Sequence, residues 1–209
     1  MHGVLSMGQR RLALLSFVFF FLSGFTNLPT NSPAIEPTSA ELLSGEPFIY
    51  RIEPDARGGQ AYKLVYIVHV PIDVLWRFKT DFHGGFIETN KYIKEQRVIR
   101  QEENLVTIEN RLSNKPGSKF RWRNILYPKK YRLEFVLENP EQCGQRFHYG
   151  YFQLEPVGSY TKVSHAAYFD FFGATIWALY PWEGGMSAFL DYIARWEQKT
   201  ILKVKDEYQ

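Results

Sequence analysis

Few residues in this chain have side chains suited to acid–base chemistry, and they are scattered rather than clustered. They are Asp81, His83, Glu88, His148, His165 and Asp170. No His-Glu-x-x-His segment, acidic cluster or Gly-x-Ser-x-Gly segment occurs, so neither a metal site nor an activated serine is predicted. The single cysteine, Cys143, excludes an intrachain disulfide and a cysteine-based zinc site. We therefore predict no metal, no cofactor and no catalytic residue.

Two of these residues, His148 and His165, lie in segments that alternate as strands do. Because side chains alternate between the two faces of a strand, His148 shares a face with Phe152, and His165 shares a face with Ala167. Both histidines are therefore expected to point into the interior from neighbouring strands. One interpretation is a pair that orients a ligand head group, or acts as a base and its partner. The other is a pair of core histidines bonded to the backbone, or a bulge that reverses the alternation.

The segments that position these groups are mostly strands. From Phe48 onwards, apolar residues recur at every second position, and turn residues such as Asn139-Pro140 separate the segments. The predicted strands are residues 48–53, 62–70, 94–101, 104–113, 119–127, 131–138, 146–155 and 160–172. A helix is predicted to begin at Pro71, because proline is favoured in the first turn, and a second short helix is predicted over residues 86–92.

The last segment changes its periodicity from two residues to three and four, which indicates a long amphipathic helix. Its predicted apolar stripe is Phe189, Ile193, Trp196, Thr200 and Leu202, with Glu197, Lys199 and Lys203 on the other side. An antiparallel sheet must bury one face, and this helix is the only large apolar surface available to it. We therefore predict an α+β fold, in which a curved antiparallel sheet of six to seven strands surrounds the long C-terminal helix. Two short helices follow the first long strand.

Aromatic residues make up 17% of the chain, which is more than a small core needs, so we expect some of them to line a pocket between sheet and helix. The expected partner is a hydrophobic small molecule. The candidate ligand-binding residues are Tyr66, Trp76, Trp122, Phe135, His148, Phe152, His165 and Phe169.

The charge of the chain argues against nucleic acid as a partner. Its 209 residues carry a formal net charge of +3, and Arg10 and Arg11 are the only charged residues among the first 34. Without that segment the charge is +3 − 2 = +1, and the remaining basic residues are interspersed with acidic ones. Proteins that bind nucleic acid concentrate lysine and arginine on one face.

The first residues have the layout of an export signal. Arg10-Arg11 precede an apolar run from Leu12 to Leu22, which is shorter than the ~20 residues of a comfortable membrane helix. We predict that residues 1–25 are a signal peptide or an N-terminal membrane anchor and that residues 26–44 are a linker. The arginines favour the cytoplasmic side, so the body is expected outside the cytoplasm, either periplasmic or tethered to the membrane through the leader.

Two segments carry a resemblance to a known family. Ile67-Val68-His69-Val70-Pro71, followed by Val74-Leu75-Trp76 and Asp81, resembles the opening signature of the START-type, or SRPBCC, superfamily. The segment from Gly150 to Pro156, followed by Tyr160-Thr161-Lys162-Val163, resembles its penultimate hairpin. Val70, Leu75 and His83-Gly84-Gly85 depart from the usual pattern at the rim of the pocket.

The resemblance covers residues 45–209 and implies a helix-grip fold, shared with polyketide cyclases and coenzyme Q-binding-like proteins. It implies binding or transport of a lipid-, quinone- or polyketide-like molecule between the sheet and the C-terminal helix. Two alternatives stay open, because a fold does not determine a function. One is a cyclase- or hydrolase-like enzyme, and the other is a protein-interaction scaffold with a filled interior.

Overall fold

The computed structural model of the protein describes residues 36–113, 115–172 and 185–209. Its helices are α1 (Ser39–Leu42), α2 (Ile72–Thr80) and α3 (Gly185–Val204). Short 3-10 helices cover Gly85–Thr89, Pro128–Lys130, Glu141–Cys143 and Lys205–Tyr208. The strands are β1 (Phe48–Ile52), β2 (Gln60–Val68), β3 (Ile93–Glu102), β4 (Leu105–Leu112), β5 (Lys115–Tyr127), β6 (Arg132–Leu137), β7 (Gln145–Val157) and β8 (Tyr160–Phe171).

All eight of these strands form one antiparallel sheet in the order β1-β2-β8-β7-β6-β5-β4-β3. The strands from β3 to β8 each pair with the next one along the chain, and β8 then pairs with β2, placing Leu64 opposite His165. The predicted α+β architecture is confirmed, although the sheet has eight strands rather than six to seven. The long strands twist and curl, so one face of the sheet is concave and receives α3.

The two short helices after β2 were both expected. α2 follows Pro71 and buries Val74, Leu75 and Phe78 against the core, since these positions lie on one side of a helix. The second is a 3-10 helix at Gly85–Thr89, and Phe86 within it stacks on Phe78 with ring centroids 4.2 Å apart.

The buried side of α3 differs from the predicted stripe. The buried residues are Met186, Leu190, Ala194, Glu197, Thr200 and Ile201. Of the predicted stripe, Thr200 is buried, but Phe189, Ile193 and Trp196 are half-buried and Leu202 is 47% exposed, so most of the stripe was wrong by about one residue. The reason is Glu197: an acidic residue was assigned to solvent, but it lies at the centre of the buried side with an exposure of 3%.

Glu197 is buried because it has two partners on different elements. The Tyr66 hydroxyl on β2 donates to Glu197 Oε1 at 2.7 Å, and the Lys79 ammonium at the end of α2 forms an ion pair with Glu197 Oε2. The side chains of Lys79 and Glu197 are 8% and 4% exposed. A buried carboxylate needs such partners, since removal from water costs several kcal/mol per ion. The Lys79–Glu197 pair therefore joins α3 to α2, and Tyr66 joins both to the sheet.

The outer face of β2 is also covered. Leu42 of α1 packs against Val65 and Ile67, while Tyr66 and the other inward residues of β2 belong to the main core. Residues 39–42 fall within the segment predicted as a linker. The segment predicted as a signal peptide or membrane anchor, residues 1–25, lies outside the described residues, and no helix within the described ranges is long and apolar enough to span a membrane.

The Lys79–Glu197 pair leads to a stability prediction. Glu197→Leu leaves the Lys79 ammonium buried without its partner and is expected to lower the free energy of unfolding by about 3–5 kcal/mol. The double variant Lys79→Met/Glu197→Leu should lose less than Glu197→Leu alone, because no uncompensated charge remains. Urea denaturation measures both. Glu155→Leu, which breaks the exposed Lys162–Glu155 pair, is the control and should cost about 0–1 kcal/mol. The single variants Lys79→Met and Glu197→Leu are measured in the same way. This account would be contradicted if the loss of unfolding free energy in the double variant equalled the sum of the two single losses.

Candidate functional site

A cavity of about 230 Å³ lies between the concave face of the sheet and α3, and is called the central cavity here. Inward residues of β4 to β8 form one wall, and Met186, Phe189, Leu190 and Ile193 of α3 form the other. Phe189 and Ile193 face it from the half-buried side of the helix. No lining residue in the described part of the chain is an aspartate, glutamate, lysine or arginine. The wall is therefore apolar, with a few neutral polar groups.

Five of the eight candidate residues line the central cavity, namely Trp122, Phe135, His148, Phe152 and His165. Their rings form a continuous patch across β5 to β8. Trp122 meets His148 edge to face with centroids 5.0 Å apart, Phe135 lies 5.5 Å from Phe152, and Phe152 stacks on His165 at 4.1 Å. The expectation that both histidines point inwards holds, because neither β7 nor β8 has a bulge between these residues and the turn that joins the strands.

The other three candidates are not part of the cavity wall. Tyr66 is fully buried beneath it and bonds to Glu197. Phe169 is fully buried between Tyr62 and His148, and Trp76 packs edge to face against Tyr131 at 5.9 Å. Strand alternation identifies the inward face, but it does not say how far along the strand the cavity reaches.

Gly150 shapes this aromatic patch. A Cβ atom at this position would lie 2.7 Å from Phe135 Cζ and 2.0 Å from the backbone oxygen of Ala166. Both distances are shorter than a van der Waals contact, so any larger residue would push the ring of Phe135 or the neighbouring strand away. The absence of a side chain at Gly150 thus leaves room for the ring of Phe135 in the wall.

Several polar wall residues were missed by the sequence analysis, above all Asn110 on β4 and Asn124 on β5. Asn124 is bonded within the protein, since Nδ2 donates to the backbone oxygens of Val106 and Trp122. Asn110 is 7% exposed, and its Oδ1 has no hydrogen-bond partner among the described residues. The available signal was a polar residue at an inward position of an apolar strand, Ile108-x-Asn110-x-Leu112.

His165 is the least satisfied polar group in the wall. It is 7% exposed, and neither Nδ1 nor Nε2 has a hydrogen-bond partner in the part of the chain that the structure describes. Burial, together with the positive charge of Lys79 and the neighbouring His148, holds its pKa well below the ordinary value of 6.5. Lys79 also lies 4.0 Å above the ring of Phe152, on which His165 stacks. His165 is therefore a neutral imidazole with one free donor and one free acceptor.

His148 has one internal partner. Its Nδ1 lies 3.1 Å from Gln145 Oε1, and because an amide oxygen only accepts, Nδ1 carries the proton and Nε2 keeps a lone pair. Burial lowers the pKa of His148 to about 3. Of the two interpretations, a core histidine with a partner fits His148, although that partner is a side chain. His165 has none.

The remaining acid–base candidates lie outside the central cavity. Asp81 accepts a hydrogen bond from the Tyr208 hydroxyl at 2.6 Å, Asp170 forms an ion pair with Arg146 at 3.0 Å, and Glu88 is exposed. His83 is exposed and lies 3.2 Å from Gln101. Within the described ranges no group of three or more histidine, cysteine or acidic residues is placed to hold a metal.

Several solved structures share this architecture. A START superfamily protein from Mycobacterium smegmatis superposes with a TM-score of 0.53 and 11% identity, covering 69% of this chain and 98% of that one. Norcoclaurine synthase from Thalictrum flavum superposes with a TM-score of 0.53 and 10% identity, covering 77% of this chain and 98% of that one. The Zhui aromatase/cyclase from Streptomyces superposes with a TM-score of 0.50 and 10% identity, covering 76% of this chain and 94% of that one.

No protein-family model and no curated protein sequence matches the chain. Identities of this size establish the fold alone. The resemblance found in the sequence is confirmed at that level: the chain has the START/SRPBCC helix-grip fold, with a curved sheet closed by a long C-terminal helix.

The depressed pKa of His148 predicts a pH dependence of stability. Between its native pKa of about 3 and its ordinary value of 6.5, the unfolded chain binds a proton that the native protein does not. Stability from this group is complete above the ordinary pKa and is lost as the pH falls towards 3. The parent protein should lose unfolding free energy between neutral pH and pH 4. In His148→Phe this loss should be smaller, by on the order of 3 kcal/mol, because the titrating group is gone.

Denaturant titrations at both pH values measure this difference. His83→Phe is the matched control, since His83 is exposed, and it should show the same acid loss as the parent protein. An acid loss unchanged in His148→Phe would contradict the prediction.

Proposed function

We propose that this helix-grip protein binds a hydrophobic small molecule in the central cavity. The observation that supports this most is an apolar, aromatic wall in which His165 and the Asn110 oxygen are buried without partners among the described residues. A buried polar group left unpaired costs about 1–3 kcal/mol, so two such groups facing one cavity favour a site completed by a ligand.

The size of the cavity argues against a scaffold with a filled interior. Protein interiors pack closely, and voids larger than a water molecule are few. An apolar cavity of roughly 150 Å³ is enough to hold a benzene molecule. The central cavity, at about 230 Å³, therefore suits a ligand of about two rings or an equivalent chain segment.

Binding is favoured over catalysis because no acidic side chain among the described residues lines the cavity beside its two histidines. His165 has no carboxylate or hydroxyl partner among the described residues, and the other acid–base candidates lie elsewhere. A catalytic base is normally oriented by a partner and has a pKa near the working pH. Two of the similar structures are enzymes, but likeness at this identity extends only to the fold.

Filling the cavity is expected to abolish binding. Ala167 lies in the wall on β8, beside His165, so Ala167→Phe places a ring in the ligand volume. N-phenyl-1-naphthylamine, a neutral dye that fluoresces in apolar surroundings, serves as the probe in a fluorescence titration. The parent protein should bind it saturably, and Ala167→Phe should weaken binding at least ~100-fold, because overlap with a packed ring is not relieved by small shifts.

Lys162→Phe is the matched control, since it adds the same ring to the outer face of the same strand, where Lys162 is partly exposed. Circular dichroism and the thermal midpoint check that each variant is folded. Equal dye binding by the parent protein and a folded Ala167→Phe variant would place the ligand elsewhere and refute the proposal.

We also propose that the body functions outside the cytoplasm, with membrane contact through the leader. The support is the order of Arg10-Arg11 and the apolar run that follows them. A phosphatase that folds only outside the cytoplasm, fused after Gln209 of the full chain, should be active. A fluorescent protein that matures only in the cytoplasm should stay dark at the same position. The reverse pattern would refute this placement.

A further inference from the structure

Two unpaired polar groups in the central cavity carry information about the ligand itself. Asn110 Oδ1 is an acceptor, so it can be satisfied only by a group that donates a hydrogen bond. His165 is a neutral imidazole with no partner in the described ranges, so it offers one donor and one acceptor. A hydroxyl group suits both residues, because it donates and accepts.

The two groups lie far apart on the sheet. His165 is on β8 and Asn110 on β4, with β7, β6 and β5 between them, so their backbones are about 19 Å apart across the strands. Because the sheet curls, side chains on its concave face converge towards the cavity. Across the ladder, His165 is level with Phe152, Leu133 and Leu126, and Leu126 bonds to Asn104. Asn110 is six residues further along β4 (110 − 104 = 6). Both side chains line the same cavity, so a single ligand can contact both.

The wall between Asn110 and His165 is neutral and apolar. No described lining residue carries a formal charge at neutral pH, and the rings of Trp122, Phe135 and Phe152 cover the middle. The nearest buried cation, Lys79, is already paired with Glu197. A charged ligand group would therefore lose its hydration without gaining a counter-charge, which is costly in such a site.

We propose that the ligand is a neutral molecule with an aromatic or otherwise apolar middle and a hydroxyl-like group at each end, one bound by Asn110 and one by His165. This inference rests on the proposed function. It excludes free fatty acids and other anionic amphiphiles as the preferred ligands. Asn110 and His165 then determine which of many apolar molecules is selected, while the aromatic wall supplies most of the binding energy.

Four rigid probes of nearly equal size test this inference: biphenyl, 4-hydroxybiphenyl, 4,4′-dihydroxybiphenyl and biphenyl-4-carboxylate. Each displaces N-phenyl-1-naphthylamine from the full chain in a competition titration. The parent protein should bind 4,4′-dihydroxybiphenyl about tenfold more tightly than 4-hydroxybiphenyl, because the second hydroxyl satisfies a buried group that is otherwise unpaired. Biphenyl-4-carboxylate should bind most weakly.

Two variants assign the ends. In Asn110→Leu and in His165→Phe the advantage of the second hydroxyl should disappear, while biphenyl keeps its affinity because the size and shape of the wall are nearly unchanged. His83→Phe, on the surface, should preserve the order of the parent protein.

The outcomes separate this inference from the proposed function. Equal affinities for biphenyl and its diol, or tightest binding of the carboxylate, would overturn the inference and leave the binding function standing. The same holds if the diol keeps its advantage in both variants. If neither the dye nor any probe binds, the proposed function fails and the inference fails with it.

Discussion

The Lys79–Glu197 pair is the interaction on which the rest of the structure depends. Here α2, α3 and, through Tyr66, the sheet meet in a single set of hydrogen bonds. An apolar contact of the same size would allow α3 to slide or rotate over the concave face. A buried ion pair prevents this movement of α3, because a shift of even a few ångströms leaves a buried charge uncompensated. The helix is therefore held at a defined position above the sheet, and the space beneath it stays open.

This anchoring explains why the cavity and the core coexist in a small domain. Buried residues of α3 such as Ala194 and Ile201 pack into the core, whereas Phe189, Leu190 and Ile193, nearer the start of the helix, line the cavity. Lys79 also extends from the anchor to the cavity, since it lies over Phe152, which in turn stacks on His165. The charge that holds the helix thus also helps to keep the histidine neutral. The first turns of the helix thus face the cavity, and its later turns pack into the core and carry Glu197.

Much of the fold was predictable from the sequence because strand alternation and turn residues are local signals. The bounds of β3, β4 and β8 agree with the predicted strands to within about a residue at each end. The buried side of α3 was not predictable, because Glu197 is buried in the core although its side chain is acidic. For the same reason Asn110 was overlooked, whereas His148 and His165 were found from alternation alone. Which inward residues reach the cavity depends on the curl of the sheet, a property that no single segment encodes.

The pairing of β2 with β8 has a consequence for how the chain assembles. Every other neighbouring pair of strands is adjacent in sequence, so those hairpins can form as soon as their residues are available. β2 has only the short strand β1 beside it until β8, about a hundred residues later, has been made. During that interval its free edge and its apolar inner face are open to other chains. Folding of this protein therefore depends on a chaperone that shields β2, or on rapid completion of the sheet, more than the stability of the final sheet suggests.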